Sequence, residues 1–592
     1  MKIKNILAIL SLGMVSCVGL EQYPTTSYTD ETFWTIEDNV RTALYLGYNQ
    51  CWHQDYYFAN NLLSDDVYGS RHSTNETSIV TGMANTSNGR FSDEWDKCYQ
   101  ELRTIHTALD AQDRMNIDET FKTRMLAELR LMRAFTYLRL VTWFGDVPFF
   151  TTNPTLPESR VVKVTPAATI KEFIHSELAE VAEILPKNTD IPESENGRYT
   201  RGTAVALNAR AYLYDNDFEN CAIWCDKLIN STEYGTYALE QDYKKLFHDQ
   251  SCCYGPESIM TIEFATLGGI DNIVRSWNNF NAFVPQSIGN KGVTTQSPTQ
   301  ELVDQYENVK YNSSTALESY PVVDLALPYR DNTHLNPNFN PENTIFDQVS
   351  NPYGDRDPRF YVTVVYNECV RTAFWKNEEI DGRSGVHYVG NAIRSKTIWT
   401  NKDDDYTGVH SSRRQRTRTG YYLNKYLRPS EGENAGGSVK GKIFRLAEII
   451  LNTAECAINA GHIQEGMTLV NEIRDRAGMP AWPTSLTQDE ALLYLKHERR
   501  VEMAMEDTRL DDMRRWQRPD GDMLDYQWPT AMEISWLGDD KEGKPMYTYT
   551  RKHIRNSPRR CYSNKWLWVP IPLSDQNRLE TLTGHAWQNP GW

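Results

Sequence analysis

The chain has 592 residues, of which 40% are hydrophobic and 24% charged. That is the composition of a globular protein long enough to bury a sizeable core. The 16 Trp and 33 Tyr exclude a disordered chain, and the formal charge of −17 argues against nucleic acid as a partner. At the N-terminus Lys2 and Lys4 precede an apolar run from Ile6 to Val15, followed by Ser16 and Cys17. This is the pattern of an export signal and is too short to span a membrane as a helix. A Cys directly after a small residue resembles a bacterial lipoprotein signal, with Met14 where that motif usually has Leu. Residues 1–16 are then removed, Cys17 is the lipidation site, and 17–37 form a tether. The other reading is an ordinary secretory signal with Cys17 just past the cleavage site. Nine cysteines follow Cys17, and few or no structural disulfides are expected.

Taken in order, the pattern predicts a helix over 38–50 and then a surface excursion over 60–90, rich in Asn, Ser, Thr and Gly. Ser92 is expected to cap a helix whose inner face carries Trp95, Cys98, Leu102, Ile105 and His106, with His106 packed in the core. Thr120 is expected to open a long helix stopped by Gly145-Asp146-Val147-Pro148. Glu128, Arg130 and Arg133 on that helix are read as paired charges. Residues 202–214 and 217–229 read as a helical hairpin. An offset of 245 residues lays this hairpin on a second one over 444–477, with stops at Gly461 and Gly478. Thr487 and Glu490 have the spacing of a capping box and open a third helix, carrying Glu498, Glu502 and Glu506. Beside Arg499, Arg500 and Arg509, these acids are read as an ion-paired stripe rather than a catalytic carboxylate pair.

Between the hairpins helical periodicity fades, and Phe360–Tyr366 is read as a strand. Asn401, Asp403 and Asp405 alternate as in a calcium loop. Tyr406 stands where that loop needs Gly and Ser412 where it needs Glu, so a solvated acidic loop is expected. Neither a HExxH motif nor a paired-histidine spacing occurs, so no metal and no cofactor are expected. The arginines Arg413, Arg414, Arg416 and Arg418 read first as an exposed loop and second as a contact for acidic sugars.

Several runs together resemble the SusD/RagB family of outer-membrane lipoproteins, the glycan-binding partners of TonB-dependent transporters in Bacteroidetes. They are the start at Cys17, Leu131-Met132-Arg133-Ala134-Phe135 through Gly145-Asp146-Val147-Pro148, Asp355-Arg356-Asp357-Pro358-Arg359, and Gly420-Tyr421 to Lys425-Tyr426. Arg445-Leu446-Ala447-Glu448 to Asn452, Glu498-Arg499-Arg500-Val501-Glu502 to Arg514-Arg515-Trp516, and Pro570-Ile571-Pro572 to Asn589-Pro590-Gly591-Trp592 complete the set. The resemblance implies a mainly α fold, a scaffold of tetratricopeptide-like hairpins with a long irregular insertion holding a few short strands. The expected division is one domain over 38–592. Its scaffold lies at about 38–230 and 442–516, its insertion at about 231–441, and an irregular C-terminal segment at 517–592.

The resemblance further implies a non-catalytic protein, lipid-anchored in the outer membrane and facing outward, that captures oligosaccharides for a SusC-like TonB-dependent transporter. The alternatives are a secreted glycoside hydrolase or a helical-repeat adaptor that binds only protein. Sugar binding needs aromatic faces for pyranose rings and polar groups for hydroxyls. The candidates are Trp277 with Asn279 and Phe280, Tyr68 with Asp66 and Arg71, and Trp375 and Trp399. Trp277 ranks first because asparagines surround it. Trp95 and Trp143 are assigned to the core.

Overall fold

Antiparallel helices packed in sequence make up the body of the molecule. The computed structural model describes residues 30–51, 59–69, 74–249, 253–263, 296–311, 316–325, 351–375, 378–381, 385–388, 392–398, 400, 416–426, 440–516, 524–554, 557–562, 564–585 and 587–592. The principal helices are α1 (Glu37–Cys51), α2 (Gly89–Leu109), α3 (Glu119–Phe144), α4 (Ala167–Ile184), α5 (Arg201–Tyr214) and α6 (Phe218–Ile229). Two short ones follow, α7 (Tyr243–His248) and α8 (Pro358–Thr363). The series closes with α9 (Leu446–Asn459), α10 (Ile463–Arg476), α11 (Gln488–Glu502) and α12 (Arg509–Arg515). Helices α2 to α6 pack each on the next, α6 packs on α9, and α9 on α10 and α11. The stack therefore continues across the insertion as though it were absent. No helix among the described residues is long and apolar enough to cross a membrane.

The 245-residue offset holds in space: α5 maps onto α9 end for end, and α6 starts where α10 starts. Arg210 on α5 reaches across to Glu448 on α9 at 2.6 Å, joining the two related hairpins. Helix α9 is buried on nearly all sides, through Leu446, Ile449, Ile450, Leu451 and Ile458. Each such side chain contributes about 1.5–3 kcal/mol of transfer free energy, a gross figure that chain entropy offsets. Helix α3 stops at Gly145, whose φ of +70° is closed to most residues. Asn589 then donates to the Phe144 carbonyl at 2.9 Å, so two of the motifs above seat on each other. Trp95 and Trp143 are buried, and burial lowers the pKa of His106 to about 4. Glu128 pairs with Arg124 and Arg198, and Arg130 and Arg133 both hold Glu177.

The ends of the insertion are clasped together. Strand Ser258–Glu263 pairs antiparallel with Lys440–Arg445, and the Leu446 N–H donates to the Glu257 carbonyl at 2.9 Å. Other strands form two-stranded pieces, the longest being Thr530–Asp539 with Pro545–His553.

Several expectations need correction. Asn88, not Ser92, caps α2, its side chain accepting from Arg90 N, while Ser92 lies within the helix. Asp118 caps α3 one residue before Glu119. Helix α4, packed on both α3 and α5, has no counterpart in the sequence reading. Residues 61–67 are buried rather than a surface excursion, because Arg500 and Arg509 neutralise Asp65 and Asp66. The Phe360–Tyr366 run is half helix: Asp357 caps it and Pro358 occupies the first turn, where its fixed φ suits a helix start. Arg445 belongs to the strand before α9, which therefore starts at Leu446 rather than at 444. No disulfide joins the described cysteines to one another, and the Cys221 and Cys225 sulfurs sit 3.9 Å apart in the core.

Candidate functional site

A cleft of about 610 Å³ opens between α7 and α8. Asn424 joins its two walls: His248 Nε2 donates to the Asn424 carbonyl at 3.0 Å, and Asn424 Nδ2 donates to the Tyr361 carbonyl at 2.9 Å. The first bond fixes Nε2 as the protonated ring nitrogen, since a carbonyl only accepts. Asp242 caps α7 by accepting from Lys244 N.

The aromatic wall comes from α8 and the turn after it. Tyr361 and Tyr366 stand with ring centroids 5.9 Å apart and planes at 62°, an open corner. The Tyr361 hydroxyl donates to the Tyr353 carbonyl at 2.7 Å and accepts from Arg356 N at 3.1 Å, which fixes the ring. Burial, then the bond from Arg356, set its acidity, with a net rise in pKa. Tyr361 is 36% exposed and Val370 beside it 70%, so an apolar ledge faces solvent at the mouth. Gln241, Asp242 and Lys244 form an exposed polar rim opposite.

The floor is ionic and closed. Arg359 directs its guanidinium at Asp357, Glu498 and Glu502, and Arg476 holds Glu257 and Glu502. Behind them Arg445 bonds Glu257 at 2.8 Å, Glu502 at 2.6 Å and Glu506 at 2.7 Å. Lys425 completes Glu506 at 2.7 Å, and Arg474 links Glu498 to Glu307. Burial alone would raise the pKa of Glu502, but Arg476, Arg445 and Arg359 hold it well below the usual carboxylate range. Burial depresses Lys425 to about 8 despite Glu506. Every carboxylate of the floor is thus ion-paired.

This stripe differs from the expected one in its partners. Glu498 and Glu502 lie on α11, but Glu506 falls in the turn beyond it, between Met505 and Asp507, both at φ +65°. The cations come from the insertion, the strand before α9, and α10. Arg499 instead holds Asp512, while Arg500 and Arg509 hold Asp65 and Asp66.

Asp66 and Tyr68, the sugar-contact candidates whose side chains are among the described residues, do not line this cleft. Asp66 is buried against Arg500, which places it in the scaffold. Tyr68 is half-buried on Val67–Gly69, opposite Ser297. Trp375 ends the strand that starts with the cleft residues Cys369 and Val370, about 20 Å along at 3.3 Å per residue. Arg71, Trp277, Asn279, Phe280, Trp399 and Cys17 lie outside the described residues, as do Arg413, Arg414 and the Asn401–Asp405 loop. Arg416 is buried, contrary to an exposed basic loop, and Arg418 is half-buried. Tyr361, Tyr366, His248 and Asn424 escaped the sequence reading. The Asp357-Pro358 pair, a helix-start signature, was the available signal that Tyr361 sits on a helix.

Two family models match the chain: "SusD family" over residues 256–592 and "Starch-binding associating with outer membrane" over residues 21–213. Among curated proteins, SusD-like protein P2 of Formosa agariphila is 25% identical over 54% of this chain. That match spans 64% of the relative, a little under two thirds of its length. A crystal structure of a SusD-like protein from Bacteroides fragilis superposes with a TM-score of 0.71 at 21% identity, covering 95% of this chain and 99% of that one. A laminarin-binding SusD-like protein gives a TM-score of 0.60 at 19% identity, covering 94% and 100%. Likeness at these identities shows a shared fold.

Proposed function

We infer the function from one premise: this chain belongs to the SusD family. It is a non-catalytic glycan-binding protein that captures oligosaccharides at the cell surface. Lipidated at Cys17 and held in the outer membrane, it delivers them to a SusC-like TonB-dependent transporter. The observation that supports capture without cleavage is the cleft itself. Two tyrosine rings at an open corner suit the C–H faces of pyranose rings. Hydrolysis of a glycosidic bond needs one carboxyl that is protonated and another that is free. The floor supplies neither, since arginines hold Glu498 and Glu502 and keep Glu502 ionised. The laminarin-binding structural neighbour adds a precedent for glycan binding on this fold. Binding in the micromolar range, on the order of −5 to −8 kcal/mol, is expected. Tyr68, Arg71, Trp277, Asn279, Phe280, Trp375 and Trp399 are proposed as further contacts along a longer chain.

Native gels cast with a panel of polysaccharides test the reading, alongside an assay for new reducing ends. Retardation by a glycan without release of reducing ends is the expected result. Steady release of reducing ends would replace the binder with a hydrolase.

A further inference from the structure

We propose that the cleft between α7 and α8 recognises an anionic group on its glycan, the carboxylate of a uronic acid or a sulfate ester, an inference that rests on the glycan-binding reading above. Two cations on one wall carry it. Lys244, in the first turn of α7, is exposed at the rim, and among the described residues its ammonium has no ion pair. Arg476, the last residue of α10, also lines the cleft and is 8% exposed. Its Nη1 donates to Glu257 at 3.0 Å and to the Glu240 carbonyl at 3.3 Å, and its Nη2 donates to Glu502. Its Nε is closed off from bulk water and has no hydrogen-bond partner. The chain entering α7 brings the two cations together: the Arg476 guanidinium lies 5.1 Å from the centre of the Tyr243 ring, next in sequence to Lys244.

A buried N–H without an acceptor is a standing cost to the fold. An anionic oxygen at Arg476 Nε removes that cost and displaces no carboxylate of the floor. Lys244 adds three donors and no acceptor, so it too calls for an oxygen, and it makes the first contact because it is the exposed one of the pair. The acids close by are already engaged. Asp242 accepts from Lys244 N at 3.0 Å in capping α7. Glu257 is held by Arg445 and Arg476, and Glu502 by Arg359, Arg445 and Arg476. Paired in this way, they repel an anion less than bare carboxylates would. From the other wall Tyr361 and Tyr366 offer their corner to the apolar face of the same sugar ring. A uronate or a sulfated sugar presents both surfaces at once, a C–H face for stacking and an anion at the ring edge. Hydrogen bonds to that anion are charge-assisted at both ends and stronger than those to a neutral hydroxyl. The chain as a whole carries −17, so the attraction belongs to these two groups and not to a broad basic surface.

The test is calorimetric titration of the full chain with anionic glycans and their neutralised counterparts. Polygalacturonate and alginate are paired with their methyl esters, carrageenan with its desulfated form, and starch and laminarin serve as neutral glycans. At least one anionic glycan should bind, and neutralising it should weaken binding about tenfold, the loss of one charge-assisted hydrogen bond. A response in the uronates identifies a carboxylate, and a response in carrageenan a sulfate ester. Lys244→Ala, at an exposed position that leaves folding alone, should weaken binding of the anionic form about tenfold and leave its neutralised counterpart unchanged. Lys244→Arg should hold the anionic form within about threefold. Binding of neutral glycans alone, or binding of an anionic glycan that survives both neutralisation and Lys244→Ala, would overturn the recognition of an anion and leave the glycan-binding reading standing. Binding of no glycan would instead overturn the glycan-binding reading itself.

Discussion

Arg445 is the cation on which the floor of the cleft converges, and its replacement by Met gives a measurable consequence. It is fully buried and bonds three carboxylates, with a further bond to the Glu502 carbonyl at 2.9 Å. Charge-assisted hydrogen bonds contribute about 1.5–3 kcal/mol each, so a simple sum would exceed the stability of many domains. The geometry shows why the sum is wrong. Glu257 retains Arg476, Glu502 retains Arg476 and Arg359, and Glu506 retains Lys425. No carboxylate is left without a cation, so the cost should be that of breaking one buried pair, about 3–5 kcal/mol. Urea midpoints at unchanged slope measure it, read by far-UV circular dichroism. Adding Glu506→Gln to Arg445→Met should then cost less than Glu506→Gln alone by about 1–3 kcal/mol, because the two share one interaction. A cost for Arg445→Met below about 1 kcal/mol, or strict additivity of the pair, would refute the account of the floor as a coupled ionic cluster.

Three further outcomes are expected. Burial holds the Glu101 carboxyl up at about 7 against 4.5 unfolded, so its stabilising protonated form is complete below pH 4.5 and is lost as pH rises through 7. Glu101→Gln should therefore raise stability at pH 8 by up to about 3 kcal/mol and change nothing at pH 4, as read from paired melting curves. Glu307 and Glu502 carry the opposite sign. Their pKa values are depressed by Arg474 and by Arg476 with Arg445, which outweigh burial, so their stabilisation is present above pH 4.5 and lost as pH falls below it. Melting temperatures of the wild-type chain should fall steeply from pH 4.5 downward, and a flat profile would contradict the pairing. Gly145→Ala should cost on the order of 1–3 kcal/mol, since φ is +70° with ψ −121° and an added Cβ would meet Trp568 at 3.2 Å. An unaltered urea midpoint would count against it.

The scaffold was legible because its information is local. Gly145, Gly461 and Gly478, the Thr487–Glu490 capping box and the 245-residue offset each announce a helix end or a repeat within a short window. Helix α4 was missed although it has a clear apolar face, because nothing nearby was recognised as its start: Pro166 precedes it without a side-chain cap. The site was less legible, since it is assembled from pieces far apart in sequence. Glu498 could be recognised as paired, but its partners Arg359 and Arg474 lie 139 and 24 residues away, and spacing along α11 pointed to the wrong arginines. Tyr361 was hidden by an apolar run that reads as a strand until Asp357 and Pro358 are seen as a cap and a first turn.

The clasp between Ser258–Glu263 and Lys440–Arg445 bears on how such a protein diversifies. Helices α6 and α9 pack directly on each other, and the insertion is tied to the helices at its two ends and at Glu307, Arg359 and Lys425, which pair with Arg474, with Glu498 and Glu502, and with Glu506. Closing a flexible loop costs free energy that grows only logarithmically with its length, about 0.6 kcal/mol for each doubling. Segments of very different size could thus be exchanged between these anchor points at small thermodynamic penalty. Selection for a new ligand can then act on one cassette while the stack remains constant beneath it.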